Sequence, residues 1–430
     1  MMKKVIILLI TILTFLFALP EFTIVSSSDG AYDGKIFIHS MPNYLSILDN
    51  NIEYYWAVNT DLNGGMDFKL NNSKLSYFHK ESPHLNESFW IIFDDNMQEI
   101  DTVQCTVGKT DYHDMIITDN NTYIVQAYDN QVFNLTDIGG EEFSLIAGVL
   151  RIQEFDLEHN LLFDWNASDH LNILDYESTL FIGNSVPGEV AWMHGNSIDI
   201  DFDDNLILSN RKSNEIIKIN KQTGDVMWIL GGPLNEFEII NDPFNGTTKQ
   251  HDVSRLENGN ILIFDNGNLT TYPASRVVEY EIDEINKTAT LVWEFYNPNG
   301  YLARAMGSAQ RLPNNNTFIN WGTVLVEGIS VGANIMEVDP SGNIVLEIQY
   351  DTYQSYKATK SNFEFNIPMG IGDTNLDHLL NIQDIIYIVN YILYHEGNHS
   401  MFNLYKIDSN LDYLINIIDI IEIVDRILSN

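Results

Sequence analysis

A short strand phrase that keeps returning limits what this chain can fold into more than any other feature. Asn205-Leu-Ile-Leu-Ser, Asn258-Gly-Asn-Ile-Leu-Ile-Phe and Asn315-Asn-Thr-Phe-Ile-Asn each follow a segment that opens at His194, His251 or Gly307. A second strand pair then recurs, as Glu215-Ile-Ile-Lys-Ile-Asn with Val226-Met-Trp-Ile-Leu, and as Val277-Val-Glu-Tyr-Glu-Ile-Asp with Leu291-Val-Trp-Glu-Phe. Short apolar runs punctuated by Asn, Asp and Gly are strands joined by tight turns, and no long helical period interrupts them between about residues 35 and 350. Four strands per unit, repeating every ~40 to 60 residues, is the pattern of propeller blades. The expected fold is therefore an all-β six-bladed β-propeller, with blades near 36–57, 75–104, 113–165, 194–230, 251–295 and 307–350. Trp56, Trp165, Trp228 and Trp293 mark outer strands. The first unit is short by two strands, so the stretch from Tyr356 to Phe365 is expected to return and close the ring. Two separate β-sandwiches would account for the number of strands but not for the repeated order of motifs.

The last sixty residues carry a different duplication. Asp373, Asn375, Asp377, Asn381 and Asp384 are matched by Asp408, Asn410, Asp412, Asn416 and Asp419. These place oxygen side chains at loop positions 1, 3, 5, 9 and 12, with Leu379 and Leu414 at position 7 to offer a backbone carbonyl, which is the layout of a calcium loop. Each loop leads into an apolar helical run, Ile385 to Tyr394 and Ile420 to Leu428. The expectation is a small all-α domain over 367–430 with paired EF-hand-type loops holding two Ca2+ ions. This duplicated loop and helix resembles a dockerin, which implies a cohesin-domain protein as partner, read through Ile382, Gln383, Ile417 and Ile418. Position 6, usually glycine because the loop turns there with positive φ, is His378 in one copy and Tyr413 in the other, which implies weaker calcium binding or a distorted loop.

At the N-terminus, Lys3 and Lys4 precede the apolar run Val5 to Leu19, which is short for a membrane-spanning helix and fits an export signal over about 1–25. Ala18 and Ser26 to Ser28 are the candidate cleavage points, and an uncleaved anchor is the alternative. Both readings make the protein secreted or displayed at the cell surface, with the propeller over 30–366. Sixty acidic against twenty-two basic residues give a formal charge of −38. Such a surface does not track nucleic-acid phosphates, nor does it dock on anionic lipid. The single cysteine, Cys105, excludes an internal disulfide and a CxxC site.

Chemistry concentrates at the openings of the repeats. His113, His194 and His251 occupy equivalent places in successive units, and equivalent inner-strand positions of a propeller converge on its central channel. Arg211 lies just beyond the strand Leu206 to Ser209 and is suited to a tetrahedral oxyanion through its planar fork. Asn196, on the same strand face as His194, is a candidate neutral donor, and Arg276 and Arg304 are secondary candidates. His39, His79, His84, His159 and His170 lack this phase.

The runs His194-Gly-Asn-Ser-Ile, Ser209-Asn-Arg211, Trp228-Ile-Leu-Gly-Gly, His251-Asp-Val-Ser-Arg-Leu-Glu-Asn-Gly-Asn-Ile-Leu and Ser308-Ala-Gln-Arg-Leu-Pro-Asn resemble the bacterial-type arylsulfotransferases. That resemblance implies sulfuryl transfer from an aryl sulfate donor to a phenolic acceptor with no organic cofactor. It also implies His251 as the nucleophile that becomes sulfated, with His113, His194 and Arg211 completing the site. The family's disulfide has no counterpart here. Asp252 or a remote carboxylate is expected to hold the His251 tautomer, and His194 to serve as general acid and then base. Two other classes remain open at this point: a carbohydrate- or ligand-binding propeller without catalysis, and a hydrolase with the three histidines as zinc ligands. The oligomeric state is not readable. An anionic substrate in so acidic a chain requires a channel that is locally positive around Arg211 and the histidines.

Overall fold

The computed structural model describes residues 19–365 except 43, 61–64, 81–87, 182–189, 270–273 and 327, together with 372, 374, 380–394, 407–409 and 415–429. The chain is mostly β, built from antiparallel sheets, with a small helical region at its C-terminal end. In chain order, the sheets begin with Lys35–Met41, Tyr44–Leu48 and Tyr54–Asn59. The next three large sheets open with Gly65–Asn71, Lys109–Ile117 and Gly195–Ile200, and the last two with His251–Arg255 and Ser308–Arg311, while Leu302–Ala303, Val324–Val326 and Ile329–Ser330 form a small sheet of their own. The returning strand Gln354–Ser361 pairs antiparallel with Lys35–Met41, Lys35 opposite Ser361 and Met41 opposite Gln354. Phe22–Ser27 adds an outer strand to the Ser308–Tyr350 sheet by pairing with Ile344–Tyr350.

The strands Gly65–Asn71, Lys109–Ile117, Gly195–Ile200, His251–Arg255, Ser308–Arg311 and Gln354–Ser361 touch one another in that order, and the last touches the first. The hydrophobic core is divided in the same way. Each of six clusters straddles two consecutive sheets: Phe37 and Ile47 meet Leu75 and Tyr77, for example, while Ile36 and Ile38 meet Ile335 and Ile348. In Ile261–Asp265 the alternation divides one strand, with Ile261 and Ile263 facing the preceding sheet and Leu262 and Phe264 the following one. A strand covered on both faces needs apolar residues without a break, hence the continuous runs.

The hairpin turns explain part of the acidity. Asp49 Oδ1 accepts the N–H of Asn51 and of Glu53, both at 2.9 Å, and Asp94, Asp156 and Asp339 do the same for residues two and four places on. A short carboxylate that accepts its own turn's amides is the usual reason for Asp in such turns.

Two boundaries differ from those expected. The first unit lacks one strand, not two, and Gln354–Ser361 fills that place. The second unit starts at Gly65, ten residues earlier than the pattern suggests, because Gly65–Asn71 contains the buried charges Asp67 and Lys69. The helices are Ile382–Tyr394 and Ile417–Ser429, with Ile388, Ile407 and Ile423 forming their small core.

Candidate active site

His113 lies on Lys109–Ile117, His251 opens His251–Arg255, and His194 immediately precedes Gly195–Ile200. All three histidines and Arg211 come together. The His113 and His194 rings meet edge to face with centroids 4.5 Å apart, and the Arg211 N–H donates to the His194 carbonyl at 2.8 Å. Burial pushes the His194 imidazole well below its ordinary pKa, and His113, Arg211, His251 and Lys249 add to the shift. His251 is pulled down to about 3, first by burial and then by Arg211, against the raising effect of its Asn266 hydrogen bond. Both rings are therefore neutral at pH 7 in the free site.

The tautomer of His251 follows from its neighbours. Asn266 Nδ2 donates to the carbonyls of Ala303 at 2.7 Å and Met306 at 3.0 Å, so its Oδ1 must be the atom 2.6 Å from His251 Nδ1. Nδ1 therefore carries the proton, and Nε2 keeps its lone pair, accepting the Met306 N–H at 3.3 Å. Met306 has φ 62 and is followed by Gly307 at φ 106, where a Cβ would stand 2.5 Å from the Phe264 ring. The close approach of this loop to His251 thus depends on glycine. His113 is anchored differently: its Nδ1 lies 2.5 Å from Asp111 Oδ1, Tyr112 stacks on it at 4.1 Å, and Tyr356 donates its hydroxyl to the His113 carbonyl at 2.9 Å.

Four expectations need correction. Asp252 does not hold the His251 ring, and among the described residues no carboxylate does. It sits at φ 51 in a bulge of its strand, pairs with Lys357 at 2.8 Å and accepts the Ala309 N–H at 2.9 Å, while the ring is held by the Asn266 amide. Asn196 spends one N–H on the Gln250 carbonyl at 2.7 Å, tying two first strands together, so at most its second N–H is open to a substrate. Arg276 is fully buried and saturated by Asp242, Asp265 and Glu294, which removes it from the site. Arg304 contributes its carbonyl, which accepts from Arg211 Nη2 at 3.2 Å. His39, His79, His159 and His170 lie elsewhere, as their phase suggested, and His84 is outside the described residues. Among the described residues no group of three His, Cys, Asp or Glu is placed to hold a metal ion, so the zinc reading has no geometric support.

Residues 27–359 match the family model described as Arylsulfotransferase (ASST). The chain belongs to that family. Two curated relatives bear the name arylsulfate sulfotransferase AssT. The one from Escherichia coli O6:H1 (strain CFT073) is 34% identical over 26% of this chain and 24% of its own. The one from Lelliottia amnigena is 29% identical over 27% of this chain and 25% of its own. The match thus spans about a quarter of each relative's length. Among solved structures, the Cps50 (Swd1) beta-propeller domain of Myceliophteria thermophila is 7% identical over 81% of this chain and 95% of that one, with a TM-score of 0.43.

The residues of this candidate site that the sequence did not disclose are Asn266, Met306, Tyr112 and Lys249. The repeat phase singles out strand openings, and these four lie one strand or one loop away from it. Asn266 lends itself to a direct test. Asn266→Asp would place a carboxylate on His251 Nδ1 and favour the imidazolium, raising the pH at which the ring titrates by about 1 to 3 units. The acid limb of kcat/KM, which reports the free enzyme, is expected to move up accordingly, whereas an unchanged limb would mean that His251 is not the group titrating.

Proposed function

We propose that this arylsulfotransferase moves a sulfuryl group from an aryl sulfate to a phenol by a ping-pong path through His251. The observation that carries the reading is the neutral His251 ring, with its Nε2 lone pair free of a proton and Arg211 and two further imidazoles close by. In the first half-reaction the Nε2 lone pair forms the N–S bond. The S–O bond to the aryl ring breaks, and its electron pair leaves on the phenolate. In the second half the acceptor phenol's oxygen forms a new S–O bond, the N–S bond breaks with its electron pair returning to Nε2, and the phenol's proton passes to His194. Arg211 and His113 face the sulfuryl oxygens, where charge grows. His194 is neutral in the free site, so it does not begin as an acid. A sulfate ester beside it raises its affinity for a proton, and it then exchanges that proton with the leaving or incoming phenol. His194→Asn is accordingly expected to lose least with donors whose phenols are most acidic.

The cyclic contacts of the first strands and the division of the core between neighbouring sheets support reading the β region as a six-bladed propeller whose axis holds the site. An export signal ending at Ala18 would leave the Phe22–Ser27 strand intact, while one ending at Ser26 to Ser28 would remove it from its sheet.

The helical end we read as a dockerin-like module that tethers the enzyme to a cohesin. Of its proposed ligands, Asp373, Asn375, Asp377, Leu379, Asn410, Asp412 and Leu414, like His378 and Tyr413, lie outside the described residues. The described ones repeat faithfully. Asp384 accepts the N–H groups of Thr374 and Asn381, both at 2.8 Å, and Asp419 those of Ser409 at 2.9 Å and Asn416 at 2.7 Å. The described ligands, Asn381 and Asp384 in one loop and Asp408, Asn416 and Asp419 in the other, offer oxygen donors of the kind Ca2+ takes, and a bound ion would fix each loop against its helix. Ile382, Ile417 and Ile418 are exposed, in keeping with a role in docking.

The test is to mix the enzyme with a chromogenic aryl sulfate, without acceptor, and to search for an acid-labile sulfo group. A burst of one phenol per enzyme with the label on His251 is expected. Turnover with no label on any histidine would sink the ping-pong path, and no turnover of any aryl sulfate would favour a binding role.

A further inference from the structure

We infer that Lys249, with Lys212 beside it, forms a second anion subsite next to the histidine cluster, one that takes a carboxylate or further sulfate borne by the phenolic substrate's ring. The inference rests on the transfer reading above and names its substrate class. In this chain cations are scarce and usually saturated. Lys218 meets Asp201, Asp203 and Glu284, and Arg255 meets Asp201 and Glu284. Lys249 is the opposite case. Among the described residues no carboxylate pairs with it, and its half-buried Nζ donates instead to the carbonyls of Lys212 at 2.8 Å and Arg211 at 3.5 Å. An ammonium has three donors, so one is left for a ligand.

Its placement is also built, not incidental. Lys249 adopts φ 56, in the left-handed region, and its backbone N–H is held by Asn214 Oδ1 at 2.9 Å. Non-glycine residues held there cluster at functional sites. Burial pulls the ammonium down to about 8, with Arg211 and Lys212 adding to the shift. Arg211 and Lys249 lie close enough to repel one another, and an anion bound against Lys249 relieves that repulsion. Lys249 also lowers the pKa of His194, so an anion held by Lys249 lies within electrostatic reach of the reacting centre. Arg211 engages the transferring sulfuryl group in the proposed mechanism, which leaves Lys249 for a separate charge on the ring.

The test compares para-nitrophenyl sulfate with its analogue carrying a ring carboxylate. Wild type is expected to favour the carboxylate ester in kcat/KM by about tenfold, the scale of one charge-assisted hydrogen bond. Lys249→Met should erase most of that ratio, Lys249→Arg should retain it, and Lys212→Met should reduce it in part. If Lys249→Met lowers both esters equally and leaves the ratio intact, Lys249 only caps the turn at residues 211 and 212, and the subsite is overturned. Calorimetric binding of para-hydroxybenzoate against its neutral amide is read in parallel. Charge-selective binding without turnover of either ester would remove the transfer reading alone, whereas no preference for the carboxylate would remove the subsite.

Discussion

Lys357→Met is expected to lower the free energy of unfolding by about 3 to 5 kcal/mol, the usual cost of leaving a buried counter-charge without its partner. Lys357 lies on Gln354–Ser361 and reaches Asp252 on His251–Arg255 at 2.8 Å and Asp114 on Lys109–Ile117 at 3.5 Å. Asp114 also pairs with Lys69 on Gly65–Asn71 and accepts the Ile198 N–H from Gly195–Ile200 at 3.0 Å. Asp252 accepts the Ala309 N–H from Ser308–Arg311. One network therefore joins all six first strands, and it lies one residue beyond His113 and His251. Burial opposes both charges, but Asp114 and Asp252 hold the Lys357 ammonium well above its ordinary pKa, and Lys357 and Lys69 hold Asp114 below its own. Lys287 and Glu236, 3.2 Å apart and partly solvated, supply the control, since Lys287→Ala should change stability by no more than about 1 kcal/mol. Urea unfolding of the two variants checks this. Equal small shifts would mean that the six strands are held by their apolar clusters alone. Because Asp114 and Asp252 follow the two histidines, Lys357→Met should also depress kcat.

The same network explains where the sequence was legible and where it was not. From residue 194 onward strands can be read because their faces are apolar on both sides and their turns are written with Asp and Asn. Gly65–Asn71 escapes that reading because Asp67 and Lys69 look like surface residues, and only Asp114, 45 positions away from Lys69, gives them partners in the interior. The histidines were legible through repeat phase, and Arg211 through its place just past the strand Leu206 to Ser209. Their supports were not: Asn266 and Met306 approach His251 from the adjacent strand and a loop of the next unit. Arg276 shows the reverse error. A scarce cation in an acidic chain looked available for substrate, yet acidity is the very reason it is saturated, as Lys218 and Arg255 are too. Asp252, offered beside a remote carboxylate, is instead spent on Lys357 and the Ala309 N–H, partners that only the neighbouring strands supply.

His251→Ala is expected to reduce kcat for sulfate transfer by at least about 10^4-fold, as loss of a covalent nucleophile does elsewhere. The loss should be that large because no neighbouring group can take over. Burial raises the phenols of Tyr112, to about 12, and Tyr356, well above the ordinary value, so neither supplies phenolate at pH 7. Cys105 is buried in the loop between Glu99–Val103 and Lys109–Ile117, with its thiol pushed up likewise. His113 has its Nδ1 engaged with Asp111, and the neutral His194 packs edge-on against its ring. Added imidazole should therefore restore part of the rate in His251→Ala, because the cavity left by the side chain still faces Arg211 and the Met306 N–H. It should restore nothing in Arg211→Ala, where the nucleophile is present but the charge on the sulfuryl oxygens is not stabilised. A His251→Ala enzyme that still transfers sulfate within about tenfold of wild type would place the nucleophile elsewhere, and rescue in both variants would show that imidazole is acting in solution.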